Sequence, residues 1–548
     1  MSFVHRTATV RERSYLLLTL IAVLSLTVVA ADWPMQDGGP ERNGWARSEH
    51  VLTKANIKSL KPLYNYRAEG ISGGLTSPIV NGNLITYRGF KEMLIFGAKP
   101  DRVFSVDADL NKTIWDSHLP SKGDAPAPTN QKRTCSAGSS GPVAMAGSSS
   151  ATMHFAAAAA RRPAVPPAPG APPPPRPSPY FPPLYQSIYP MRPDTLSQLN
   201  VIYTVSSDGY LHIVNSSTGA DMIPAIQFVP AHAKVSSLNV WENVVYATTA
   251  DNCDGYRNAL YALNLLPNEK HVIVFAPEIG GFAGTAGTAI GRDGTVYVQV
   301  SQPAEKKGEY REVVLALTPR ELTVRASFSL EKEKFTAAEI SASGITPMVF
   351  SWLGKPVVAA AMRDGRVYLL DAQSLGGADH HTSLYSSPVI VPSSHKHEAE
   401  GFRGAFSTWQ NVDTQERWIY APLDGAPAKA ANFSSAPKSS LVALKLTVQN
   451  NETNFTPLWI SDELAQPTPA VIANGMLFTL SRGDQPALHV LDALTGKELH
   501  STGPTIKGSV EGSGLAVANG RVYFSTNDNT VYCFGLPRAN LQLSEDEY

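Results

Sequence analysis

The sequence predicts an all-β fold, an eight-bladed β-propeller of four-stranded antiparallel blades, with seven blades as the alternative count. Three observations predict it. An apolar strand signature recurs along the chain, Asn-Gly and Asp-Gly pairs separate short strands, and a spare strand near the N-terminus matches a strand missing from the last repeat. The signature runs through Phe104–Asp107, Leu211–Val214, Leu260–Leu263, Val314–Leu317, Tyr368–Asp371, Leu441–Leu444, His489–Asp492 and Val531–Phe534. Its spacing defines a unit of ~40–55 residues holding several strands, a period expected of propeller blades.

The first 31 residues read as a secretory signal. Arg6, Arg11 and Arg13 precede an apolar run from Leu16 to Val29, and small residues at Ala30 and Ala31 offer a cleavage site. No cysteine follows the run and no Arg-Arg pair precedes it, so lipid anchoring and twin-arginine export gain no support. The mature chain, 32–548, is expected to be exported to the periplasm or secreted, with no membrane span once the signal is removed.

Within it, Asn81-Gly82, Asp293-Gly294, Asn474-Gly475 and Asn519-Gly520 are placed between the first and second strands of their blades. Asp208-Gly209 and Asp364-Gly365 fall between the second and third. A two-residue type I′ turn needs positive φ at both positions, which these pairs tolerate. The last blade reads Gly514–Val517, Arg521–Ser525 and Thr530–Phe534 and then lacks its outer strand. The stretch Leu60–Arg67 is expected to supply it and so close the ring. Between about 147 and 198 lies a Pro/Ala-rich insert (Ala156–Ala160, then Pro163–Pro179), expected to be disordered, because it has too little apolar surface to offset its ordering entropy. It interrupts the connection between the first two strands of blade 2.

Strand order assigns loops to faces. Connections between first and second strands share a face with those between third and fourth, and the remaining connections share the other. Cys135 and Cys253 then fall on one face in neighbouring blades and form a candidate disulfide, and Cys533 sits inside a strand as a small hydrophobe. His380 and His381 fall on the face opposite His395 and His397, so no shared metal site is expected. Asp107, Asp371 and Asp492 all end third strands. Their recurrence points to a turn role, a carboxylate accepting backbone N–H groups. A net charge of −1 without a long basic run argues against nucleic-acid binding. Apolar residues make up 43%, ample for blade cores, and 41 Gly with 42 Pro suit a turn-rich chain. The sequence holds no Gly-x-Ser-x-Gly elbow, no His-Glu-x-x-His pair and no phosphate-cradling loop.

From Asp32 onward the chain resembles exported bacterial PQQ-binding-like propeller proteins, relatives of the quinoprotein alcohol dehydrogenases. The resemblance rests on Trp33-Pro34-Met35, Arg42-Asn43-Gly44-Trp45 and Val51–Leu60 in the leading segment, on Leu491–Leu499 in blade 7, and on Leu370–His380. It implies the propeller fold and, in its catalytic members, PQQ with calcium. This sequence departs from those members. It has no adjacent cysteine pair, no Cys-x-x-Cys-His haem site and no evident calcium-binding set of carboxylates and Asn. The Trp that ends the repeat is kept at Trp115 and Trp459 but is His500 in blade 7. The expected function is therefore an exported, non-catalytic interaction or ligand-binding scaffold of the cell envelope. Its partner would be an envelope protein or small ligand, with no cofactor and no metal. The alternative is a PQQ- and calcium-dependent dehydrogenase of alcohols or sugars, for which catalytic and cofactor-binding residues are not identifiable.

Overall fold

The computed structural model describes residues 31–86, 89–120, 141–146, 201–266, 271–336, 344–392, 400–449, 452–510 and 514–537. Residues 1–30 of the expected signal (1–31), the insert at about 147–198, Cys135, His395 and His397 lie outside these. The described chain is built of strands, with helix limited to single 3-10 turns.

Eight antiparallel sheets follow one another, each with strands A to D from the axis outward. Blade 1 runs Ile79–Thr86, Gly89–Ala98, Arg102–Asp107 and Lys112–His118. Blade 2 is Ala144–Met145, Val201–Val205, Tyr210–Asn215 and Ile226–Gln227. Blade 3 is Lys234–Trp241, Val244–Ala250, Leu260–Asn264 and Val272–Phe275. Blade 4 is Ala289–Ile290, Val296–Pro303, Glu309–Leu317 and Val324–Ser329, and blade 5 is Met348–Trp352, Lys355–Ala361, Val367–Asp371 and Tyr385–Ser386. Blade 6 uses Ser407–Gln410, Arg417–Asp424, Ser439–Gln449 and Glu452–Ile460, and blade 7 uses Val471–Ala473, Met476–Ser481, Ala487–Asp492 and Glu498–Ser501. Blade 8 contributes Ala516–Ala518, Arg521–Ser525 and Thr530–Gly535, and its outer strand is Lys61–Arg67, paired from Lys61 opposite Gly535 to Arg67 opposite Thr530.

The turn pairs behave as expected at Asn474-Gly475 and Asn519-Gly520, where both residues have positive φ. Asn81-Gly82 does not. Strand A of blade 1 runs through it to Thr86, with a register shift between Asn81 and Leu84. The pair forms an irregularity inside the strand, where the Gly82 N–H is taken by the Asp32 carboxylate at 2.9 Å. The third-strand acids take the turn role that recurrence predicts. Asp107 Oδ1 accepts the N–H groups of Asp109 and Leu110, Asp371 accepts that of Gln373, and Asp492 accepts those of Leu494 and Thr495. Asn215 fills the same position in blade 2 and does the same for Ser217 and Thr218.

Apolar clusters join each blade to the next, for example Ile95, Trp115 and Ile202 between blades 1 and 2, and Tyr297, Phe328 and Val358 between blades 4 and 5. One cluster unites blades 7, 8 and 1 through Phe478, Phe524 and Phe96. Polar pins cross these seams. Trp115 Nε1 donates to Ser216 O at 2.7 Å and Trp459 Nε1 to Ala493 O at 3.2 Å, each carbonyl lying in the C–D turn of the following blade. Each indole also covers the glycine of that turn. A Cβ on Gly219 would stand 2.7 Å from Trp115, and one on Gly496 2.5 Å from Trp459.

Trp459→Ala removes both the packing and the pin. We expect it to cost about 3–5 kcal/mol, measured by chemical denaturation. A loss below about 1 kcal/mol would show that this seam does not depend on the indole.

Candidate functional site: the axial hub

The innermost strand of a blade has no neighbour on its axial side, so its backbone groups there need other partners. The leading segment supplies them in ring order. Ala31 exchanges two hydrogen bonds with the Asn519 side chain of blade 8 (2.6 and 3.0 Å), and Trp33 pairs with Val80 of blade 1. Pro34 O accepts Met145 N of blade 2 at 2.8 Å. Pro40 O accepts Asn239 Nδ2 of blade 3 at 3.1 Å and Ile290 N of blade 4 at 2.7 Å. Glu41 O accepts Val349 N of blade 5, Asn43 O accepts Thr408 N of blade 6, and Gly44 O accepts Ile472 N of blade 7. Glu49 returns to blade 8, its carboxylate accepting Gly520 N at 2.8 Å.

Three charged side chains of this segment are buried, Asp37, Arg42 and Glu49. Arg42 is fully covered and donates to three carbonyls, Gln36 O, Leu238 O at 2.7 Å and Thr288 O at 3.1 Å, which ties the segment to blades 3 and 4. Burial lowers its pKa to about 10, partly offset by Asp37. Asp37 is 4% exposed and its Oδ2 has no hydrogen-bond partner among the described residues. Burial raises its carboxyl to about 6, with Arg42 pulling the other way. The Thr285 and Ser407 hydroxyl oxygens nearby are also buried without partners.

Backbone crosses between blades as well. Thr285 N, ahead of blade 4, donates to Gly404 O of blade 6 at 3.2 Å, and Ile345–Thr346 pairs in parallel with Gly404–Ala405. Gln36 Nε2 reaches Thr285 O at 3.4 Å. Gly284 passes so close that a Cβ there would stand 2.0 Å from Thr346 N. Gly44 has φ +59, and a Cβ would lie 2.7 Å from Ser407 Cβ, so only glycine lets the chain slip past blade 6.

A quinone with calcium needs a flat gap and several converging carboxylate or amide oxygens. Among the described residues no three His, Cys, Asp or Glu side chains gather as a metal-binding group. Of the hub's buried acids, Asp37 is paired electrostatically with Arg42, and Glu49 accepts the N–H groups of Val51, Leu52 and Gly520. The described hub residues assemble no such oxygen set, and no chemical step runs through the quinone or the metal.

Sequence reasoning missed a Ser–His–acid arrangement. His212 Nε2 lies 3.1 Å from Ser206 Oγ and its Nδ1 3.0 Å from Asp221. Blade 7 repeats it with Ser481, His489 and Glu498 at 3.1 and 2.7 Å. Ser206 is 3% exposed and its hydroxyl already engages Asp208 and Tyr210 O, so it is no accessible nucleophile. The repetition marks a brace across strands B to D. The equal spacing of 9 residues from His212 to Asp221 and from His489 to Glu498 was a usable signal. His380 and His381 dock on the outer strand of blade 4, at Ser327 Oγ and Ser329 O. Cys253 is disulfide-bonded and Cys533 is a buried free thiol, its pKa pushed up to about 12 by burial.

No protein-family model matches the sequence, and no curated protein matches it either. Solved structures do. A europium-containing methanol dehydrogenase aligns over 94% of this chain and 100% of its own, with 10% identity and a TM-score of 0.52. The quinohemoprotein alcohol dehydrogenase ADHIIG from Pseudomonas putida HK5 aligns over 92% and 80%, with 11% identity and a TM-score of 0.50. The fold is that of the PQQ-like β-propellers. BamB from Moraxella catarrhalis is also similar, at 12% identity and a TM-score of 0.45 over 88% of this chain and 99% of that one. Among the described residues of this PQQ-like propeller, no helix is long and apolar enough to cross a membrane.

Two measurements follow from the hub and its face. Asp37 binds its proton more tightly folded than unfolded, so its contribution to stability is complete below about 3.8 and lost as pH rises to about 6. Melting curves of Asp37→Asn are expected to flatten the pH dependence across that window, and an unchanged slope would refute the assignment. Non-reducing peptide mapping is expected to join Cys135 to Cys253, and a free Cys135 thiol would break that pairing.

Proposed function

We propose that this chain is an exported, non-catalytic PQQ-like propeller that binds a protein or small ligand in the cell envelope or outside the cell. The observation that carries this reading is the occupation of the axis by the chain itself. Trp33–Glu49 binds the inner strands of blades 1 to 7 and the A–B turn of blade 8, and Arg42 is fully buried on backbone carbonyls between blades 3 and 4. An axis committed to its own backbone offers rigidity, and leaves recognition to the loops and faces around it. The N-terminal run of basic, apolar and small residues supports export.

The second reading is a dehydrogenase of alcohols or sugars using PQQ and calcium, favoured by the likeness in fold to the methanol and alcohol dehydrogenases. At 10–11% identity that likeness concerns fold alone. Reconstitution separates the two. On mixing the mature protein with PQQ and calcium, we expect no stoichiometric change in quinone absorbance and no dye-linked oxidation of alcohols or sugars. Tight one-to-one binding of the quinone would overturn the scaffold reading.

A further inference from the structure

A second buried arginine behaves differently from Arg42. Arg417, at the start of strand B in blade 6, is 4% exposed, and it lies between blades 5 and 6 at the end of the ring where strands A turn into strands B. Its Nη2 donates to Ser351 O at 2.8 Å and to Gln410 Oε1 at 3.1 Å. Both acceptors are neutral. Its Nε and Nη1 are buried and have no hydrogen-bond partner among the described residues. Burial, with Arg47 nearby, lowers its pKa to about 10.

The surroundings add positive charge and aromatic walls. The guanidinium lies 5.3 Å from the Phe350 ring and 5.8 Å from that of Trp45. Trp45 is half-buried, and the exposed Arg47 lies over the same ring at 4.5 Å. Arg292, on the A–B turn of blade 4, adds a like charge that acts on Arg47. Glu41 is the acid there, and it sits 3.6 Å from Arg292 and also acts on Arg47. Two guanidinium groups, those of Arg292 and Arg47, therefore share one carboxylate, and Arg417 feels the positive charge of Arg47.

A buried cation with unpaired N–H groups loses hydration without recovering it, and a charged acceptor is the partner that restores the balance. We infer that Arg417 and Arg47, with Trp45 between them, form a binding site for an oxyanion, the phosphate or carboxylate group of a small ligand. Arg47 and Trp45 are its cover. Arg47 is exposed at the mouth of the site, where it can meet the anion from the solvent side. Arg417 supplies the inner donors, and Phe350 and Trp45 exclude water. The site extends the ligand-binding reading to a ligand class. It borrows Trp45 and Arg47 from the leading segment, but the hub hydrogen bonds described above do not use either side chain, so its failure would leave the hub untouched.

Inorganic phosphate is the probe, titrated calorimetrically into the full mature chain at constant ionic strength against chloride. The expected result is saturable one-to-one binding and a higher melting temperature in phosphate. Arg47→Gln, a change on the surface, is expected to weaken binding about tenfold or more. Arg417→Met is expected to abolish it. In chloride Arg417→Met is expected to melt at or above the wild type, since it removes an unpaired buried charge, and in phosphate below it. Absence of saturable binding in the wild type would overturn the site, as would binding that both variants retain. A wild type that melts alike in both salts, with Arg417→Met lower in each, would make Arg417 a structural residue only.

Discussion

The inner strands of the blades turn unpaired N–H and C=O groups toward the axis, and the ring depends on satisfying them. The leading segment does so with residues suited to a one-sided task. Pro34 and Pro40 have no N–H to leave stranded and contribute carbonyls alone, each accepting from a blade. Asp37, Gly38, Arg42 and Gly44 all adopt positive φ, which bends the segment around a small circle. After one circuit the chain reaches Glu49 and blade 8, and then supplies the outer strand of that same blade. Innermost and outermost edges are thus met by one continuous stretch, and damage to it would unseat both.

Between blades the same logic works at longer range. A donor on one blade reaches a C–D turn carbonyl of the next. Trp115 and Trp459 do this from strand D, and Tyr297 and Tyr420 do it from strand B, bonding Ala372 O at 2.7 Å and Ala493 O at 3.1 Å. Tyr64, on the strand lent to blade 8, reaches Ala108 O of blade 1 at 2.9 Å. The missing Trp of blade 7 has a physical cause here. Its target would be the C–D turn of blade 8, but that connection does not exist, because strand D comes from elsewhere in the chain. His500 instead hydrogen-bonds the backbone of Leu60, just before the lent strand begins.

How far the sequence reaches follows from what repeats. Eight third strands, the lent strand and the turn role of the aspartates were legible because each is a local pattern stated several times or a gap with one matching piece. Asn81-Gly82 misled, since the pair fits a bulge as well as a turn, and only its contact with Asp32 decides. The hub was legible as a motif and not as a structure. Trp33-Pro34-Met35 and Arg42-Asn43-Gly44-Trp45 mark a resemblance, but their partners lie far along the chain, as where Gly44 O meets Ile472 N. The Ser–His–acid braces showed in the sequence only as a shared spacing of histidine to acid, because their serines stand at unequal distances from the histidine.

Repetition also separates framework from chemistry. Asp107, Asp371 and Asp492 recur and brace turns, and the Ser–His–acid sets recur and brace sheets. Asp37, Arg42 and Arg417 occur once each. A group that appears once in a ring of similar blades is under no demand from the repeat, so its burial needs its own reason. For Arg42 the reason is on hand: three carbonyls converge on its guanidinium, and a shift of the leading segment would leave the charge buried and unmet, so it fixes the register of the circuit. Arg417 ties blade 6 to blade 5 through one nitrogen, but its acceptors are neutral and its other two nitrogens are bare, so its charge is left without a counterpart. A cost of that kind persists where something outside the chain offsets it, and the chemistry that offsets a guanidinium is an anion.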